Sequence, residues 1–366
     1  MKNVEKWSKL SFLQKEENSS LSPKAILIIG PAWIGDMVMA QTLFKVLKYR
    51  YPHISIDVLA PSWTVPLVQR MPEVRESILF PFGHGELHLF KRYKFARTLR
   101  NKNYDQAIIL PGSFKAALIP FWAQIPLRTG WLGEWRTPLI NDVRLNRDKP
   151  PLLIQQFSSL AYNKKEKFTL SLDDYYPKLE VNEQRQKDLV ESLQLSTSSP
   201  VLALSPGAEY GPAKRWPIES FSQVANEMIS CGWQVWIFGS KKESPLAQSI
   251  MQATQGKCVD LTGKTTLIEA VDLMSIAQAA ITNDSGLMHI AAALDLPLIV
   301  LYGSSSPRFT PPLSKHVKVI NLELGCSPCF KRTCPLGHFD CMKKISPELV
   351  LSNLKSLVAY DSHIDS

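Results

Sequence analysis

The chain contains no run of about eighteen apolar residues, so no segment of it reads as a transmembrane helix. Its first 23 residues, MKNVEKWSKLSFLQKEENSSLSP, have no continuous apolar stretch and no small-residue cleavage site, which argues against a secretory signal. They read as a flexible N-terminal tail, with a short membrane-surface contact through Trp7, Leu10, Phe12 and Leu13 as the alternative. Neither half of the chain carries G-x-G-x-x-G after its first strand-like run, which argues against a nucleotide-dependent oxidoreductase. No basic stripe interleaved with aromatics is present either, so nucleic acid is not the expected partner.

What is present is the composition of a soluble globular protein. The 366 residues are 45% hydrophobic and 20% charged, and the length suits two domains of ordinary size. Lys and Arg number 42 against 33 Asp and Glu, a formal net charge of +9 that favours anionic partners. Because the excess is spread thinly, a membrane surface or an anionic substrate fits it better than a polynucleotide. Six cysteines occur, and without an export signal the expected compartment is the reducing cytoplasm, not one that builds disulfides.

Short apolar runs alternate with amphipathic segments twice along the chain, the β-α-β rhythm of a parallel sheet. In the first half KAILIIG (24–30), SIDVLAP (55–61) and YDQAIILPG (104–112) read as strands, and residues 36–52 as a helix stopped at Pro52. The rhythm fades between 145 and 180. It restarts with strands at 200–208, 234–240, 279–282 and 297–303 and helices at 217–232, 243–253, 265–277 and 285–294. Gly232 suits a helix stop, and Ser346 a capping position before a last helix over 346–360. The expected architecture is α/β: two doubly wound, Rossmann-like parallel-sheet domains facing a cleft, over 24–178 and 179–345, then a C-terminal helix and tail over 346–366.

Ligands of such sheets bind beyond the carboxyl ends of the strands, so the loops there carry the chemistry. GPAWIGD (30–36) has the glycine spacing of a phosphate loop, but Asp36 stands where a lysine would be and would repel phosphate. Asp36 reads equally as a helix cap or as a general base. In SPGAEYGPAKRWP (205–217), Ser205, Gly207, Gly211 and Lys214 beside a helix start suit a phosphate. In AAITNDSGLMHIAAAL (279–294), Ser285 lacks the upstream glycine of a nucleophile elbow and reads better as a helix cap facing an anion. His289, on the first turn, is either a packed residue or a donor to that anion.

GPAWIGDMVMAQ, PGAEYGPAKRWP and TNDSGLMHIAAAL, in this order, resemble the ADP-heptose:lipopolysaccharide heptosyltransferases (glycosyltransferase family 9). MPEVRESILFPFGHGEL, LPGSFKAALIPF and RTGWLGEWRTPLINDVR resemble the heptosyltransferase II subfamily in particular. The resemblance covers about residues 24–320. It implies a GT-B fold and an inverting transfer of heptose from ADP-heptose to the first heptose of the inner core on Kdo-lipid A, with types I and III as rivals differing in acceptor. No cofactor is implied for the chemistry, and the implied location is the cytoplasmic face of the inner membrane, held peripherally at its anionic surface. By position, Asp36 matches the base. Lys214, Asp284, Ser285, Gly286 and His289 match the donor diphosphate and sugar site. Ser205, Gly207 and Gly239 lie along the nucleotide, and Glu243 matches a ribose contact or else a first-turn helix acid. Ser113, Phe114, Lys115, Arg128 and Trp131 resemble acceptor-side positions, the two cations suiting an anionic core.

CSPCFKRTCPLGHFDC lies outside this scheme. Cys326, Cys329, Cys334 and Cys341, with His338 nearby, are spaced either for a structural zinc or as reduced thiols in a compact loop.

Overall fold

The computed structural model describes residues 23–361 except 84, 85, 167, 169, 170 and 172. The surface contact expected of Trp7, Leu10, Phe12 and Leu13 lies outside the described residues.

The first lobe runs β1 (Ala25–Ile29), α1 (Ile34–Arg50), β2 (Ser55–Pro61), α2 (Val65–Val68), β3 (Glu76–Phe80), α3 (Leu89–Thr98), β4 (Gln106–Ile109), α4 (Phe114–Trp122), β5 (Leu127–Trp131) and β6 (Asp142–Arg144). Helix α5 (Leu153–Ser158) lies within the expected connection, and α6 (Glu183–Ser192) follows it. The second lobe runs β7 (Val201–Ser205), α7 (Ile218–Ser230), β8 (Gln234–Ile237), α8 (Ser244–Ala253), β9 (Val259–Asp260), α9 (Leu267–Met274), β10 (Ala279–Asn283), α10 (Gly286–Ala293), β11 (Leu298–Tyr302), β12 (Val317–Asn321), α11 (Asp340–Lys343) and α12 (Pro347–Asp361).

Each lobe holds a six-stranded sheet, ordered β3-β2-β1-β4-β5-β6 and β12-β11-β10-β7-β8-β9, with parallel pairing throughout. Read from β9, the second order repeats the first. The order reverses between β1 and β4 and between β7 and β10, so a crevice opens beyond the carboxyl ends of those strands. β1, β7, β10 and β11 are buried along their whole length, as strands covered on both faces must be. Each fully buried aliphatic or aromatic side chain contributes roughly 1.5–3 kcal/mol. α7 ends where Gly232 takes φ +85°, a left-handed turn that costs glycine little. Ser346 caps α12 by accepting the Leu349 amide at 3.2 Å. Val350 and Leu354 of α12 are fully buried in the second lobe's core, so this helix is an integral layer of that lobe.

The lobes are joined by more than the connecting chain. Met37 and Phe44 of α1 belong to one apolar cluster with Met288 and Ala292 of α10. The Leu179 amide donates to the Ala293 carbonyl at 3.1 Å, and the Leu153 amide to that of Phe309 at 3.1 Å. Arg70, after α2, reaches Asp272 of α9 at 2.6 Å, and Asp272 also accepts the Asn182 amide at 2.9 Å. The Asp272 carboxylate is wholly buried, so its charge is tolerable only with these partners.

Removing Arg70 should therefore cost more than removing the pair. Arg70→Ala is expected to destabilise the fold by about 3–5 kcal/mol, and Arg70→Met with Asp272→Leu to recover most of that loss. Denaturant unfolding of the singles and the double measures it; equal losses for both would remove the ion pair from the interlobe contact.

Candidate active site

The crevice is built where two helix N-termini meet. α1 starts at Ile34 with Trp33 as its N-cap, so Asp36 sits inside the first turn and is not the cap. α10 starts at Gly286 with Ser285 as N-cap, and Ser285 makes no capping bond through its side chain. The two starts touch: a Cβ added to Gly35 would lie 2.5 Å from His289 Cδ2, and one added to Gly286 would lie 3.1 Å from Ile34 Cβ. Glycine at both positions is what lets the helix ends approach.

Asp36 is half-buried at this junction. Burial pushes its carboxyl up, Lys214 pulls it down and Asp284 pushes it up again, leaving it at about 6. A carboxylate so placed is ionised at neutral pH yet basic enough to take a proton. Lys214 lies on the turn Pro212–Lys214 after β7, and its Nζ is 2.5 Å from Asp284 Oδ2 and 5.1 Å from the Tyr210 ring centroid. Asp284 is 4% exposed and also accepts from the Ser305 hydroxyl. With one hydrogen bond fixed by Asp284, the ammonium keeps further donors for an anion.

Asn283 holds the two loops together. Its side-chain oxygen accepts the Trp216 amide at 3.1 Å, and its Nδ2 donates to the Pro206 carbonyl at 2.8 Å. His289 is buried, which pushes its imidazole down to about 4, with Asp284 raising and Lys214 lowering it. It is therefore neutral at pH 7 and acts as a packed ring with one N–H, not as a cation. The first amides of α10 beside it have no carbonyl partner within the helix and carry its positive dipole end.

The expected nucleotide path follows β7 and β8. Ser205 Oγ is buried without a hydrogen-bond partner among the described residues. Glu243 Oε2 accepts the Ser240 amide at 2.7 Å, the capping role foreseen as one reading. Its Oε1 also fills the space where a Gly207 side chain would be, only 1.5 Å from the added Cβ, and Oε2 lies 2.9 Å from one on Gly239. The carboxylate thus sits in the notch between the two loops, with both readings of it compatible.

On the first lobe, Ser113 is the N-cap of α4, and Phe114 and Lys115 lie at its exposed start. Arg128 is turned inward: Nε donates to the Leu139 carbonyl at 2.7 Å and Nη1 to that of Ile125 at 2.6 Å. Trp131 is 8% exposed, with Nε1 on the Gln156 carbonyl at 2.9 Å. These two side chains hold β5 in place, which leaves Ser113, Phe114 and Lys115 at the rim. Sequence reading missed Arg136, whose buried guanidinium donates to the carbonyls of Trp131 and Pro111 and so ties the two rim loops together. It also missed Ser305, although that residue follows β11 at the strand end where such loops are found. Cys326, Cys329, Cys334 and Cys341 line one small cavity, but among the described residues no three His, Cys, Asp or Glu groups form a closed metal-ligand set.

Two Rossmann-like lobes facing a crevice, with Asp36 on one side and Lys214 and the start of α10 on the other, have the architecture of a GT-B glycosyltransferase. Residues 92–340 match the model of glycosyltransferase family 9 (heptosyltransferase). The chain belongs to this family. It is 46% identical over 342 residues to lipopolysaccharide heptosyltransferase 2 of Salmonella typhimurium, covering 91% of this chain and 98% of that one. It is 45% identical over 341 residues to the Escherichia coli lipopolysaccharide heptosyltransferase 2, covering 91% and 98%. The solved E. coli ADP-heptose heptosyltransferase II superposes with a TM-score of 0.82 at 42% identity, covering 92% of this chain and 99% of that one.

The raised Asp36 carboxyl carries a stability cost of known sign. The folded protein holds this proton up to about pH 6, whereas a free carboxyl releases it near 3.8, so stability falls between those values and the full penalty applies above pH 6. Asp36→Asn is expected to be more stable than wild type by on the order of 2 kcal/mol at pH 7.5, with the gain gone below pH 4. Thermal unfolding at the two pH values checks it; equal midpoints at both would place Asp36 in solvent.

Proposed function

We propose that the chain performs the heptosyltransferase II reaction, moving heptose from ADP-heptose onto the first heptose of the lipopolysaccharide inner core, with Asp36 as the base. The observation that carries the mechanism is the juxtaposition of Asp36 with Lys214, Asp284 and the start of α10. The activity is supported by likeness to heptosyltransferases 2 over nine-tenths of the chain.

In this reading the diphosphate lies against the Lys214 ammonium and the first amides of α10, and the adenosine runs past Gly207, Gly239 and Glu243. The acceptor hydroxyl attacks the anomeric carbon from the face opposite the diphosphate. As the new C–O bond forms, the bond from the anomeric carbon to the diphosphate oxygen breaks and ADP leaves with that electron pair. The hydroxyl proton passes to Asp36. Lys214 and the helix dipole stabilise the charge that grows on the leaving group. His289, neutral and packed on Gly35, shapes the pocket and supplies at most one N–H. No step calls for a cofactor.

Acceptor and location rest on the first lobe. Lys115 and the exposed Phe114 border the crevice, and Trp33, Trp63 and Trp135 are 51%, 46% and 92% exposed. Indole side chains favour the membrane–water interface, and the net charge of +9 suits an anionic leaflet. Among the described residues no helix is long and apolar enough to cross a membrane. We place the enzyme peripherally at the cytoplasmic face of the inner membrane, where the lipid-borne acceptor is presented.

ADP release is the direct test, with Kdo-lipid A and the same lipid bearing one heptose offered separately. Turnover only with the heptosylated acceptor is expected, and Asp36→Ala should lower it about 10²-fold or more while donor binding changes little. Turnover on bare Kdo-lipid A would reassign the chain to the type I reaction. Donor binding without turnover on either acceptor would make it a nucleotide-sugar-binding protein.

A further inference from the structure

The segment between β12 and α11 has no role in the transfer, yet it is built with unusual care. From Asn321 to Cys341 not one side chain is buried, and no helix or strand occurs between Leu322 and Phe339. A loop of this length in a compact domain needs something to hold it. The path is also strained: Glu323, Phe330 and Phe339 take left-handed φ values of 46°, 54° and 59°. Apolar packing holds only the ends of the segment, at Leu322 and Cys341.

What the loop does have is four thiols around one cavity. Cys326, Cys329, Cys334 and Cys341 line a space of about 20 Å³ with His338, Leu336 and Phe339, and all four cysteines are free. That volume admits one water-sized body. The thiols come from separate stretches of the loop and converge on this one cavity. His338 has its Nδ1 occupied by the Asp340 amide at 2.9 Å, so the sulfurs are the better ligand set.

We propose that Cys326, Cys329, Cys334 and Cys341 bind one thiophilic metal ion, zinc in the first instance, and that the metal locks this loop against the donor-phosphate loop. All four cysteines line this one cavity, although among the described residues no three of them stand at metal-ligand spacing. Binding would require the side chains to rotate to the roughly 2.3 Å of a metal–thiolate bond, with loss of the thiol protons to solvent. Tetrahedral four-sulfur coordination selects zinc or iron over harder ions.

The locking follows from what the loop touches. The Ala213 amide donates to the Arg332 carbonyl at 3.0 Å, and a Cβ on Gly211 would lie 2.4 Å from that same oxygen. The Tyr210 hydroxyl donates to the Phe330 carbonyl at 2.8 Å, and the Arg332 guanidinium and the Lys214 ammonium each lie 5.1 Å from the Tyr210 ring centroid. The Phe330 amide donates to the Ser304 carbonyl at 2.7 Å, one residue before the serine that bonds Asp284. The loop thus backs both partners of the Lys214–Asp284 pair. This second step rests on the donor-site reading above; the metal site does not.

Metal analysis of the purified full-length chain, by elemental mass spectrometry and by mercurial-triggered release into a chromogenic chelator, tests the site without any activity assay. One zinc or iron per chain is expected, lost in Cys329→Ser and in Cys341→Ser and retained in Cys231→Ser, which alters a thiol remote from the loop. Wild-type protein without metal, with its loop thiols reacting freely or paired as disulfides, overturns the site, as does full retention in both loop variants. Because the serine variants could misfold, ADP binding is measured on wild-type protein before and after mercurial stripping. The dissociation constant should rise at least fivefold; an unchanged value overturns the locking role while leaving the metal count to stand or fall by itself.

Discussion

Helix α1 can pack closely against helix α10 at their N-terminal turns because the residues at the meeting point are glycines. Any side chain on Gly35 would strike the His289 ring, and one on Gly286 would press on Ile34. From that contact the rest of the site follows. It carries Asp36 from the first lobe into the field of Lys214 and Asp284 in the second. It also removes enough water to raise the Asp36 carboxyl and to keep His289 neutral. Two helix ends that repelled or clashed would leave a base on one lobe and an anion site on the other with nothing to react between them. The shared apolar cluster of α1 and α10 and the Arg70–Asp272 pair at the far side keep the lobes in this register.

The second lobe's half of the site depends on a chain of partnered polar contacts, buried except for the half-buried Lys214. Asn283 links the turn after β7 to the end of β10, Asp284 aims Lys214, and Ser305 aims Asp284. Such a network is expensive to leave half made, which gives it a single arrangement. The cysteine loop lies directly behind it. Between Asn321 and Cys341 no side chain of that loop is fully buried, so its position depends largely on its polar contacts with Ala213, Tyr210 and Ser304.

Much of this was legible in the sequence, for definite physical reasons. Strands buried on both faces read as unbroken apolar runs, so β1, β7, β10 and β11 stood out and with them the two-lobed parallel architecture. Edge strands did not: β3 has no buried residue and β12 only one, and β6 and β9 are only three and two residues long. The loops after the central strands were found because a doubly wound sheet places ligands there. Their roles were less legible. Asp36 read as cap or base until Trp33 proved to be the cap. Lys214 and Asp284 stand 70 residues apart, and their contact leaves no local trace. Arg128 resembled an acceptor-side cation, yet its guanidinium is bound to backbone carbonyls that only the folded loop brings within reach.

The central claim is that the junction of α1 and α10 makes Asp36 the proton acceptor of a transfer reaction. The pH dependence of kcat/KM with the heptosylated acceptor tests it most directly, because it reports the essential base of the free enzyme. The account predicts an acidic limb with an apparent pKa of about 6, the value the buried carboxyl takes beside Lys214 and Asp284. In Asp36→Asn the residual activity should lose that limb, and His289 cannot restore it because its imidazole titrates at about 4. A limb near 6 that persists in Asp36→Asn would contradict the assignment and move the base elsewhere in the crevice.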